Sequence, residues 1–172
     1  YRSVDQLPPF DDYRMAGRTY RYFQGEPLYP FGHGLSYTRF KYSNLSLGTN
    51  EIAPNESLRV SVDVQNAGEL AGDEVVQLYV THLKASVPVP LRSLQGFKRV
   101  HLKPGEMKQV QFTLTPKQLL VIDNDGKRVV EPGEFRVEVG GKQAGFKGTA
   151  DAATTEVITT QFKVVGKVIE IN

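Results

Sequence analysis

An all-β fold, a two-sheet antiparallel sandwich of seven or eight short strands, is what this 172-residue sequence predicts, and three observations carry it. Apolar and polar residues alternate with a period of two in several short runs, most cleanly where Leu58, Val60, Val62 and Val64 interleave with Arg59, Ser61, Asp63 and Gln65. Turn formers, among them Asn66-Ala67-Gly68, Pro104-Gly105 and Pro132-Gly133, punctuate those runs. No stretch holds a 3.6-residue period beyond one turn near Pro116 to Leu119, and no longer repeat recurs.

The elements follow in order. Phe40, Tyr42, Leu45 and Leu47 predict a first strand, closed by Gly48-Thr49-Asn50, and Pro54-Asn55-Glu56 turns the chain into the run at Leu58. Val76, Leu78 and Val80 alternate with Gln77, Tyr79 and Thr81, which are expected on the polar face. Val87-Pro88-Val89-Pro90 lacks the N–H groups that a ladder needs and is a loop or an edge crossing. Leu94, Phe97, Val100 and Leu102 follow, then Val110, Phe112 and Leu114. Asp123-Asn124-Asp125-Gly126 lies between Leu119-Leu120-Val121-Ile122 and Lys127-Arg128-Val129-Val130 as a hairpin turn. Phe135, Val137 and Val139 point inward, with Glu134, Arg136 and Glu138 outward, and Phe162 and Val164 make the last strand before the tail. The stretch from Lys142 to Glu156 is longer than an ordinary hairpin loop.

The first 38 residues differ in kind. Seven of the eight tyrosines fall between Tyr1 and Tyr42, together with Phe10, Phe23 and Phe31, in a setting of glycine and proline. Such a composition favours a shaped connector over a helix or a regular strand.

Composition narrows the chemistry. A net charge of +2 from scattered Lys and Arg argues against nucleic acid as a partner, and the longest aliphatic run, Leu119 to Ile122, argues against a membrane one. With no cysteine there is no disulfide, thiolate nucleophile or thiolate-bound metal. His33, His82 and His101 are isolated, so neither a metal nor a cofactor is expected, and the Asp123 to Gly126 loop lacks the further ligands of a calcium site. Adjacent carboxylates such as Asp11-Asp12 and Asp73-Glu74 point apart when extended, and no catalytic residue is assigned.

Leu28-Tyr29-Pro30-Phe31-Gly32-His33-Gly34-Leu35-Ser36-Tyr37-Thr38 closely resembles the segment of glycoside hydrolase family 3 enzymes that leads into a C-terminal fibronectin type III-like domain. The likeness continues through Leu94-Gln95-Gly96-Phe97-Lys98-Arg99-Val100 and Glu131-Pro132-Gly133-Glu134-Phe135, and spans about Arg2 to Gly166. It implies a division into residues 1–38, the terminal strip of an α/β domain with its linker, residues 39–166, a fibronectin type III-like (immunoglobulin-like) sandwich, and a tail at 167–172. The family's catalytic nucleophile and acid/base lie upstream of anything matched here, so the resemblance implies the inactive C-terminal part of a β-glucosidase or β-xylosidase. Its partners would be the catalytic domains of the same polypeptide, and for a bacterial enzyme the periplasm or exterior is the expected compartment.

On that reading Arg18, Tyr20, Tyr22, Phe23, Tyr29, Phe31 and Tyr37 are the inter-domain packing residues, with arginine free to stack on the rings. His33, between two glycines, is the candidate for a loop near the parent's active site. Aromatic rings also stack on sugars, so a polysaccharide-binding surface and an independent interaction module stay open as alternative uses.

Overall fold

The computed structural model describes residues 1–145 and 157–171, and in them the sandwich is present. One sheet has the order β1 (Phe40–Leu47), β3 (Leu58–Asn66), β6 (Met107–Leu114). The facing sheet runs β2 (Glu51–Ile52), β10 (Val157–Val164), β9 (Gly133–Gly140), β4 (Gly72–His82), β5 (Ser93–Leu102). Its pairings are antiparallel except for β2 on β10. A third, small sheet joins β7 (Val121–Ile122), β8 (Arg128–Val130) and β11 (Ile169–Glu170), so the 167–172 tail adds a strand. The helical turn at Pro116–Leu119 forms as its sequence suggests, with Thr115 and Gln118 making a reciprocal capping box.

Period-two patterning works as physics requires. Val60, Val62 and Val64 of β3 have no exposed surface and pack with Val110, Phe112 and Leu114 against the facing sheet's Val76, Leu78, Phe135, Val137 and Phe162. Burying each such phenylalanine contributes up to about 3 kcal/mol by area. In β1 the inward residues skip from Tyr42 to Leu45 because the register slips between Ser43 and Ser46, where Asn44 takes a left-handed φ of 52°. A bulge absorbs the extra residue and returns Leu45 and Leu47 to the core side.

The outer face of the larger sheet departs from expectation. Gln77, Tyr79, Thr81 and Glu138, all assigned to a polar face, are buried, Tyr79 completely. The cause is a second layer: the N-terminal strip and the 83–92 loop lie over β4 and β9. Within the strip, a 3₁₀ turn at Val4–Gln6 and a helical turn, α1 (Thr19–Tyr22), interrupt what the sequence predicts to be wholly irregular backbone. The 142–156 loop begins with Lys142 and Gln143 buried, and its residues 146–156 lie outside the described residues.

Candidate inter-domain face

Polar bonds attach the strip to the sheet. At Gly32 a φ of +78° turns its carbonyl toward Gln77, whose side-chain Nε2 donates to it at 3.2 Å and to the Gly141 carbonyl at 2.7 Å. The Gln77 Oε1 accepts the Tyr79 hydroxyl at 2.5 Å, which fixes the amide's orientation. A Cβ at Gly32 would run into that amide, so only glycine fits. Next to it, Gln143 and Phe31 bond reciprocally, the Gln143 N–H to the Phe31 carbonyl at 2.9 Å and the Phe31 N–H to the Gln143 Oε1 at 3.2 Å.

Tyr20 ties the helical turn to the same patch. Its ring stacks on Phe31 at 4.0 Å and meets Tyr79 edge-on at 6.3 Å, while its hydroxyl accepts the Leu94 N–H at 3.1 Å. Arg21 accepts the Leu91 N–H at its carbonyl (2.7 Å) and donates from its guanidinium to Ser93 Oγ (3.1 Å). Arg18 takes a role other than ring stacking. It donates to the carbonyls of Pro9, Asp12 and Arg14, closing residues 9–18 into a loop. At the other end, the Thr38 hydroxyl donates to Asn66 Oδ1 at 2.6 Å, and the Asn66 amide donates to the Leu70 and Leu102 carbonyls.

The residues singled out from sequence divide into two groups. Tyr20 and Phe31 meet, and Phe23 lies edge-on to Tyr1 at 4.6 Å, with Arg18 and Tyr22 half-buried nearby in the strip. Tyr29 and Tyr37 face out, Tyr37 at 99% exposure. Three further residues that sequence reasoning did not single out are also exposed: Phe10, Tyr13 and Leu35 at 94%, 88% and 82%. Their aromatic, proline-flanked setting was the available signal. His33 sits 5.3 Å from the Tyr29 ring, and its Nδ1 is buried with no hydrogen-bond partner among the described residues.

Charged groups behind this face are structural. Glu138 is held between Arg136 Nε (3.3 Å) and Arg92 Nε (3.8 Å) beside Tyr79, and burial lowers the Arg92 proton affinity. Glu74 has the raised proton affinity expected of a general acid, burial pushing its carboxyl up to about 7, but it points between the sheets. Its Oε1 accepts the Tyr42 hydroxyl from the opposite sheet at 2.5 Å. Asp123 Oδ1 accepts the N–H groups of Asp125 and Lys127, which makes it the organiser of a hairpin turn. Among the described residues no three His, Asp or Glu side chains converge as metal ligands would.

Comparison with known proteins gives these features a context. Residues 74–143 match the model of the fibronectin type III-like domain. A β-xylosidase of Formosa agariphila is 51% identical over 81% of this chain, which covers 20% of that protein. The thermostable β-glucosidase B of Acetivibrio thermocellus is 46% identical over 70% of this chain, which covers 17% of it. A solved β-glucosidase structure from Erythrobacter marinus superposes with a TM-score of 0.75 at 39% identity, over 94% of this chain and 20% of that one. The chain thus spans about a fifth of the length of the relatives it matches. Motif, sandwich and relatives agree that the chain carries a fibronectin type III-like domain of the kind found in glycoside hydrolase family 3 β-glucosidases and β-xylosidases.

Proposed function

We propose that this chain is the non-catalytic brace of a β-glucosidase or β-xylosidase, holding the catalytic part of the same polypeptide through the outward face of the residue 1–38 strip. The observation that carries this is the strip's polarity. Gly32, Tyr20 and Arg21 bond to the sandwich, while Phe10, Tyr13, Leu35 and Tyr37 project with more than four-fifths of their surface exposed. Large apolar residues concentrated on one exposed segment mark an interaction surface. Relatives about five times longer supply the covering mass. The parent would cleave β-glucosides or β-xylosides by a retaining double displacement, with its two carboxyl groups outside this chain. His33, in the same strip, is placed by this reading at the junction with the catalytic part.

Complementation tests the proposal. The catalytic part is produced alone and together with residues 1–172, and hydrolysis of chromogenic β-glucoside and β-xyloside is followed with thermal stability. Activity and stability that return only with the chain present are the expected result. A catalytic part that is already fully active and stable alone overturns the bracing role.

A further inference from the structure

Where the strip begins, Tyr1, Tyr20, Phe23, Pro27, Tyr29 and Phe31 wall an open socket of about 180 Å³, which Gln143 also lines. Its acceptor atoms are already engaged. The Tyr1 hydroxyl accepts the Thr19 N–H at 3.0 Å and donates to the Gly17 carbonyl at 3.2 Å. The Tyr20 hydroxyl is taken by the Leu94 N–H, the Thr19 Oγ1 accepts the Arg21 N–H at 3.3 Å, and the Gln143 Oε1 is fixed by the Phe31 N–H. Tyr29, 60% exposed, brings a hydroxyl that makes no hydrogen bond among the described residues.

A sugar ring needs several donors and acceptors to replace its water, and a polar group buried without them is costly. An apolar side chain needs ring faces alone, which is what the stacked Tyr20 and Phe31 and the edge-on Tyr1 and Phe23 present. We infer that the socket receives an apolar side chain, leucine, methionine or phenylalanine in character, from the remainder of the polypeptide. It is therefore a protein-docking socket and not a glycan subsite. The inference rests on the bracing reading for its occupant.

The test reads the socket directly, on this chain, apart from any activity. N-acetyl-leucinamide, N-acetyl-phenylalaninamide, methyl β-glucoside and methyl β-xyloside are titrated separately while the ring protons of Tyr1, Phe23, Tyr29 and Phe31 are followed by NMR. Saturable shifts with the two amides, absent with the glycosides and reduced at least threefold in affinity by Tyr29→Ala, are expected. In the longer polypeptide those amides are expected to cause no shift, because the socket is filled. Shifts with a glycoside, or with none of the four probes, overturn the apolar assignment. Amide shifts that persist in the longer polypeptide overturn the occupant. A failed complementation, by contrast, removes the bracing role whatever these titrations show.

Discussion

Replacing Glu74 with glutamine is expected to abolish a large pH dependence of folding stability. Glu74 lies on the core side of β4 with 6% of its surface exposed, and Tyr42 is its hydrogen-bond partner. Burial away from water pushes its carboxyl up to about 7 from an ordinary 4.5, against the smaller opposing effect of the Tyr42 hydroxyl. Between those values the folded chain retains a proton that the unfolded chain has released. Stability from this group is therefore full below the unfolded value, is lost as pH rises through the folded one, and is flat above it. A displacement of that size corresponds to about 3 kcal/mol, or about 6–12 °C in Tm for a chain of this length. His82 acts in the opposite sense over part of the same range. Burial lowers its proton affinity, against the pull of Glu131, so its contribution is lost as pH falls below its ordinary value. The informative quantity is accordingly the difference between wild type and Glu74→Gln in urea unfolding from pH 4 to 8.5. Near-equal stability at pH 4, with the variant ahead by about 3 kcal/mol at pH 8.5, is expected. Profiles that run parallel across the range would refute the assignment of a protonated buried carboxyl.

Three other substitutions probe the strip and what lies beneath it. Gly32→Ala adds a left-handed cost of about 1–2 kcal/mol to a collision with the Gln77 amide. Proteases are then expected to cut within residues 1–38 while the sandwich keeps its Tm, and unchanged resistance counts against Gly32 as the anchor. Thr19, β-branched at a φ of 55°, carries backbone strain that asparagine tolerates while still able to accept the Arg21 N–H, so Thr19→Asn is expected to gain about 1 kcal/mol of local stability, read as about fivefold slower proteolysis within residues 1–38. No gain, or a loss, removes the strain argument. Glu138→Leu leaves Arg92 and Arg136 without their shared buried carboxylate, and a loss of about 3–5 kcal/mol is expected. A loss below about 1 kcal/mol means that the two guanidiniums are held by other groups.

The inner face of the sandwich was legible because it depends on a local period, and even the slip in β1 shows as the spacing of Phe40, Tyr42, Leu45 and Leu47. The outer face was not. Alternation tells that two faces of a strand differ, but it carries no information about which distant segment covers the more polar one. Gln77 and Glu138 read as solvent-facing for that reason, although one holds Gly32 and the other pairs with two arginines. Tyr79, the only tyrosine beyond residue 42, was the clue, since it stands at a polar-face position with no solvent-side reason to be aromatic.

The same covered face explains why the candidate site could be located only in part. A surface segment ordinarily turns apolar groups inward and polar groups to water. This strip departs from that at several points, meeting the sandwich through amides, carbonyls and hydroxyls at Gln77, Gln143, Ser93 and Leu94 and leaving Phe10, Tyr13, Leu35 and Tyr37 outside. Holding those rings in water gains nothing for the chain itself, whereas covering them gains about 1.5–3 kcal/mol for each phenylalanine or leucine fully buried. The polar attachment fixes where the rings stand, and their burial rewards a partner that meets them there. On the bracing function proposed above, the sandwich is the rigid support and the strip the adhesive surface.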